Sequence, residues 1–342
     1  MIKRAFLKLA GMSALACLAG GAVAQEVTLR MHQFLPAQAN VPKNILQPWA
    51  DRVMEESGGR IEIQHFPSMQ LGGTPPQLID QAIDGVADII WTVAGYTPGR
   101  FPRSEVFELP FTVSDAGAAS AAFWEMTQDE DVRAEYADFK LLGVWVHGPG
   151  VIHSEEPITV PDDMRGVKLR APTRVTNMLL GNLGATPVGM PVPALPEALS
   201  KGVVDGAVIP WEVTGALKAA ELVDNHTEFE GPALYTMPFL FAMNRASYDA
   251  LPEDLRAVID ANSGLEFSRQ AGIQMALDDG PAREAALDLG NRVITISGED
   301  AALWHDASQS TIAQWKGEMA EKGIDADALI ARAQELVAKH SE

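Results

Sequence analysis

Arg170 closes an apolar stretch, Val167-Lys168-Leu169-Arg170, and stands two residues before Pro172. That pattern reads as a strand running into a proline-initiated helix, which lets the side chain reach the mouth of a cleft. A planar guanidinium presents two parallel N–H donors matched to a carboxylate, so the chemistry on offer is capture of an organic anion. The competing reading is an ordinary ion pair with one of the chain's many acids, and residue types alone leave both open. Aromatic residues gather where other strands should end. Phe34 follows the first strand with Gln33 beside it, Phe66 ends the second, Trp91 the third, and Trp145 lies just before His147. Side chains there either fill the core or wall a ligand site with apolar, stacking surface.

Signatures of catalysis are missing. The chain has no G-x-S-x-G, H-E-x-x-H, G-x-x-x-x-G-K or G-x-G-x-x-G pattern. Its seven histidines are scattered, and the pairs Glu155-Glu156 and Asp162-Asp163 fall in polar, proline-bounded loops suited to turns and caps. No metal-ligand set and no cofactor motif is present, so neither is expected. The rival from another class is a secreted lyase or hydrolase assembled in space around Arg170, Arg174 and His147.

Those residues need elements to hold them. Val27, Leu29 and Met31 alternate as a strand, a helical pattern covers 42–56 and stops at Gly58-Gly59, and Ile61 and Ile63 begin a second strand. Thr74 and Pro75 start a helix that Gly85 ends, and 87–91 is a short apolar strand. A second such series follows, with strands at 141–146, 167–170, 186–188 and 203–209 and helices at 172–183 and 196–201. Residues 235–243 form another apolar strand, which suggests that the chain returns to the first unit. A long, mostly helical stretch covers 252–289, with Gly264, Gly272 and Gly280-Pro281 as bends or breaks. Alternating strands and helices of this kind predict an α/β fold in two units with largely parallel sheets and a cleft between them.

The N-terminus carries Lys3, Arg4 and Lys8, an apolar run over 9–18, and Ala22-Val23-Ala24 before Gln25. This is the pattern of a cleavable export signal over 1–24, and its apolar run is shorter than the about 20 residues a spanning helix needs. Cys17, the only cysteine, falls inside it, so the mature chain has no disulfide and no thiol chemistry. With 46 Asp plus Glu against 26 Lys plus Arg, the net charge is −20. That field disfavours nucleic acid and anionic membranes as partners. An anionic ligand would need a local cation to overcome it.

Several segments together resemble the solute-binding proteins of tripartite ATP-independent periplasmic (TRAP) transporters, the DctP family. They are Gly59-Arg60-Ile61, Phe66-Pro67 with Gln70-Leu71-Gly72, Leu109-Pro110-Phe111, and Gly166-Val167-Lys168-Leu169-Arg170 with Pro172. Leu183-Gly184-Ala185 with Pro187, and Ala198-Leu199 with Gly202-Val203-Val204-Asp205-Gly206, complete the set. The resemblance implies a two-lobed periplasmic binding protein fold with hinge-connected lobes and a long bridging helix. The expected division is 25–147 plus 236–275 for one lobe and 148–235 plus 276–342 for the other lobe and the C-terminal helices. It implies a periplasmic receptor, not an enzyme, that binds a carboxylate through Arg170 and delivers it to the small and large permease subunits.

The family often has a second arginine in the loop where this chain has His147-Gly148-Pro149-Gly150. Arg174, one turn along from Arg170, either compensates for it or faces solvent. His147, nearest that place, would act as a neutral donor to a keto or hydroxyl oxygen, and Trp211 falls at a site position of the family. Positions with polar contacts in sugar-acid binders are here Gly73, Val93, Val192 and Ile209. A ligand rich in hydroxyls would lose about 1–3 kcal/mol for each unpaired group there. These departures favour a monocarboxylate with an aromatic or branched apolar body, with a C4-dicarboxylate or 2-keto acid as the alternative. A receptor feeding a signalling sensor is a third possibility.

Overall fold

Two runs of short strands build two sheets. In a computed structural model, which describes residues 25–341, the first sheet holds β1 (Val27–His32), β2 (Ile61–Phe66), β3 (Ile89–Val93) and β4 (Phe139–Val146). It also takes in β10 (Pro238–Asn244) from far along the chain, in the order β2-β1-β3-β10-β4. The second contains β5 (Gly150–Ser154), β6 (Lys168–Ala171), β7 (Thr186–Gly189), β8 (Gly206–Pro210), β9 (Asn225–Phe229) and β11 (Arg292–Ile296), ordered β11-β9-β5-β8-β6-β7. The expected export signal, 1–24, lies outside the described residues.

β1, β2 and β3 are parallel, as the β-α-β-α-β reading requires, and β10 enters antiparallel between β3 and β4. In the second sheet β5 is the antiparallel strand, lying between β8 and β9. Each sheet thus takes its antiparallel strand from a crossing between the units, 147–149 and 230–237. The second crossing is pinned to the first unit. Phe111 N–H donates to the Ala233 carbonyl at 2.9 Å, Ala233 N–H to the Val113 carbonyl at 2.8 Å, and the Thr236 hydroxyl to the Phe107 carbonyl at 2.6 Å.

The edge strand β4 is finished by two helices. Ser268 Oγ accepts the Val144 N–H and Ser120 Oγ the Val146 N–H, each at 3.0 Å. These hydroxyls satisfy backbone donors that a sheet edge would otherwise leave unpaired.

Helix Leu265–Asp288 runs on across Gly272 and Pro281, so neither position breaks it. The break comes only at Gly264, whose φ of +99° suits glycine. Gly272 is there for packing, since a Cβ would lie 2.2 Å from Ser120 Oγ at the crossing with helix Ala116–Met126. The first half of Leu265–Asp288 packs on that helix and the second half on the segment 211–221, so one rod touches both units.

Residues 276–342, expected to hold the end of the second lobe and the C-terminal helices, contact both units. Helix Gly298–Glu321 lies on Arg174–Asn182 of the second unit. The last helix, Ala326–His340, packs on Ala116–Met126 of the first, where Arg332 pairs with Asp129 and Lys339 with Glu125. Strands β5, β9 and β11 had no expectation; they are five residues each and mix polar with apolar side chains.

Candidate functional site

The end of β6 carries Arg170 inward. Its side chain is fully buried, yet among the described residues no carboxylate lies within ion-pair distance of it. Its Nε donates to the Met190 carbonyl at 2.9 Å and Nη1 to the Val208 carbonyl at 3.2 Å. Those two bonds fix the plane of the guanidinium. Nη2 stands 3.5 Å from the Tyr96 hydroxyl, too far for a good hydrogen bond. A buried cation held by neutral carbonyls alone is electrostatically incomplete, because interior charges require an opposite charge or a dense set of polar partners.

The first sheet supplies the surroundings. Phe34 stacks on Trp91 with centroids 4.7 Å apart, and Trp91 stacks on Phe239 at 5.2 Å. Tyr96, just past β3, tilts against Phe34 at 5.7 Å and accepts a hydrogen bond from the Val192 N–H of the second unit. Near the crossings, His147 meets Tyr235 edge-on at 5.3 Å and Phe239 at 6.1 Å. Tyr235 in turn packs on Gly150, where a Cβ would come within 2.1 Å of its ring.

Four buried polar atoms on these elements have no partner among the described residues: Trp91 Nε1, Thr92 Oγ1, His147 Nε2 and the Tyr235 hydroxyl. Native interiors rarely leave such groups unpaired, and where they do a function is the first explanation to test. Burial dominates their titration. It holds His147 down at about 4, with the Arg170 charge adding to the effect, and it pushes the Tyr235 and Tyr96 hydroxyls up against the opposing pull of Arg170. His147 is therefore neutral at neutral pH. Its Nδ1 faces the Gly148 carbonyl, which uses the ring's one N–H, so the expected donor role passes to an acceptor role at Nε2.

The structure brings Arg170, His147, Trp91 and Phe34 into this neighbourhood and sets the other expected residues elsewhere. Arg174 donates through Nε to Glu105 at 3.2 Å, is bridged by a second contact to that carboxylate, and pairs with Glu318. Trp315 Nε1 also donates to Glu105, at 3.0 Å. Trp211 follows Pro210 with its indole turned to His153 and His226, at 5.0 and 4.9 Å, and donates to Glu228 at 3.2 Å. The Gln33 amide closes its own turn, donating to the Leu35 carbonyl at 2.8 Å and accepting from Leu35 N–H. Phe66 is half-buried at the end of β2, its carbonyl accepting from Gln33 N–H at 3.3 Å.

Tyr96, Tyr235 and Phe239 were not anticipated. Tyr235 and Phe239 fell in the expected apolar strand 235–243 and Tyr96 just past the expected strand 87–91, but nothing in the sequence marked any of the three as a site residue.

A second contact joins the two units next to this group. Thr173 fits against Gly95, where a Cβ would lie 2.5 Å from its methyl, and its hydroxyl donates to Glu108. Burial, with Glu105 nearby, pushes the Glu108 carboxyl up to about 8, and the Thr173 bond and Arg174 only partly offset this.

Residues 32–318 match the family model for bacterial extracellular solute-binding proteins, family 7, DctP. A TRAP solute-binding protein from Rhodoferax ferrireducens T118, solved with copurified benzoate, is 48% identical. It aligns with a TM-score of 0.90 over 92% of this chain and 98% of that one. A marine metagenome TRAP solute-binding protein specific for aromatic acid ligands, solved with 3-hydroxybenzoate, is 45% identical. Its TM-score is 0.91, over 93% of this chain and 100% of that one. The C4-dicarboxylate-binding periplasmic protein DctP of Rhodobacter capsulatus is 24% identical over 257 residues, 73% of this chain and 75% of that protein. With its family match covering residues 32–318 and its two α/β units both contacted by one long helix, this chain belongs to the bacterial extracellular solute-binding proteins of family 7 and is a receptor of the TRAP type.

Proposed function

We propose that this receptor, exported by its N-terminal signal, captures an aromatic monocarboxylate in the periplasm and presents it to the membrane permease subunits of a TRAP transporter. The observation that carries the reading is the buried Arg170 guanidinium without a carboxylate partner, flanked by the Phe34–Trp91–Phe239 stack. A ligand carboxylate supplies the missing charge, and its ring lies against aromatic surface. One cation suits one carboxylate. Arg174 is already neutralised by Glu105 and Glu318, and His147 carries no charge at neutral pH, so a C4-dicarboxylate would bring a second charge with no partner. Two relatives above 40% identity bind benzoate and 3-hydroxybenzoate, which points the same way. The two units act as lobes that close by bending at 147–149 and 230–237, and a ligand that binds the closed form better shifts the population toward it.

The test is thermal unfolding of the mature chain, refolded to strip carried-over ligand, against benzoate, phenylacetate, succinate and sialic acid. Benzoate at 100 times its dissociation constant should add about 2.7 kcal/mol of stability, and Arg170→Ala should abolish the shift. A shift with succinate alone would overturn the monocarboxylate assignment.

A further inference from the structure

The unpaired polar atoms carry directional information beyond the presence of an anion. His147 has one N–H in its neutral form, and the Gly148 carbonyl beside Nδ1 can only accept, so the proton is on Nδ1. Nε2 is left as a bare lone pair, buried and without a protein donor. Tyr235, whose ring stands edge-on to the imidazole at 5.3 Å, also has a buried hydroxyl without a partner. The Arg170 charge reaches both residues, which puts them in the electrostatic neighbourhood of the cation that would hold the carboxylate.

An acceptor and a hydroxyl left open on two adjoining rings select a particular substituent. A carboxylate or keto oxygen can take the Tyr235 O–H but offers nothing to His147 Nε2. A methyl group or ring C–H serves neither. A hydroxyl serves both, accepting from Tyr235 while donating to Nε2. We propose that the preferred solutes are hydroxylated aromatic monocarboxylates, with His147 and Tyr235 together recognising the hydroxyl. This inference rests on the aromatic-acid reading and narrows it, and it leaves open whether the hydroxyl is on the ring or on the carbon bearing the carboxylate.

Calorimetric titration of the refolded, ligand-free wild-type chain distinguishes the cases. The ring arm compares benzoate with its three monohydroxy derivatives and the matching methoxybenzoates. The side-chain arm compares phenylacetate with mandelate. In at least one arm the hydroxylated acid should bind at least about tenfold more tightly than its parent, since an unmatched buried acceptor is costly. In the ring arm its methyl ether, which lacks the O–H, should lose that advantage. His147→Phe should erase the preference, bringing the hydroxylated acid down to the affinity of its parent, and circular dichroism checks its fold. Equal affinities for parent, hydroxy and methoxy acids in the wild type would overturn the hydroxyl assignment while the aromatic-acid reading stood. If no aromatic acid bound at all, that reading would fall and take this one with it.

Discussion

The Tyr96 hydroxyl accepts the backbone N–H of Val192 at 2.9 Å, and this bond joins the end of the first sheet to the segment that follows β7 in the second. The same hydroxyl stands 3.5 Å from Arg170 Nη2, so one oxygen serves both the union of the lobes and the surroundings of the cation. Replacing it with phenylalanine leaves the ring against Phe34 but strands a buried N–H. Tyr96→Phe should weaken aromatic-acid binding by roughly fivefold or more with little change in the unfolding midpoint of the ligand-free protein. Titration calorimetry with benzoate measures the first and a thermal scan the second.

Arg174 is tied to Glu105 of the first unit and to Glu318 of the second. Its place is in holding the units together, so its loss should act on closure and not on recognition. Arg174→Ala should weaken every aromatic acid by the same factor, roughly threefold to tenfold, because the binding-competent fraction falls alike for all of them. A change in the ranking of ligands would instead place Arg174 against the solute.

Glu108 gives closure a pH dependence. Its carboxyl is buried against Thr173 and Gly95, and the charged or titratable groups around it are Glu105, Arg174 with its partner Glu318, and Tyr235. Closed, it stays protonated up to about 8. When the lobes part and water reaches it, the carboxyl returns toward the ordinary carboxylate range. Between those values the closed form holds an extra proton, so affinity is greatest at the acid end of the window. It should fall as pH rises toward 8 and level off above. Titrations in buffers of different ionisation enthalpy should show proton uptake on binding, and Glu108→Gln should remove it.

The histidine pair beneath Trp211 governs stability at acid pH. His153 Nε2 faces the Ile209 carbonyl at 3.2 Å and must carry its proton there. Its Nδ1 therefore accepts from His226 Nδ1 at 2.7 Å, and His226 Nε2 accepts from Asn291 at 3.0 Å. Both rings are neutral, with burial holding His226 down at about 4 and His153 well below its ordinary value. The unfolded chain binds protons on these residues near 6.5 and the folded one resists until about 4. Their stabilising contribution is complete above about 6.5 and is lost as pH falls through that interval. Unfolding midpoints measured from pH 7.5 to 4.5 should decline over this range, with a shallower slope in His226→Asn.

Much of the architecture was legible because strands and helices announce themselves by period. The run 167–172 shows this: β6 ends at Ala171 and the helix begins at Arg174, one turn past the strand. Thr74 stands at the start of its helix as expected, its N–H and hydroxyl both donating to Gln77 Oε1. The return of 235–243 to the first sheet was legible as an apolar run, although only the fold shows it entering between β3 and β4.

What stayed hidden depends on side-chain direction outside regular elements. Trp211 comes one residue after β8 in a tight turn, where no periodicity decides which way an indole points, and it turns to the histidine pair. Tyr96 and Tyr235 lie in comparable irregular segments and turn toward Arg170. Arg174 was ambiguous for another reason, since its partners Glu105 and Glu318 are 69 and 144 residues away in sequence. Strands β5 and β9 are short and mixed because each lies between neighbours that the fold supplies, and neither carries a strong pattern alone.

The serine hydroxyls that complete β4 have a colloidal consequence. An unfinished sheet edge is a template on which another chain can lay a strand. With Ser120 and Ser268 occupying the outward N–H groups of Val146 and Val144, and their helices lying over the edge, this end of β4 offers a neighbouring copy fewer groups to pair with. Changing both serines to alanine would leave the aromatic cluster and Arg170 untouched. It would still leave two backbone donors at that margin unpaired, making it more prone to edge-to-edge association.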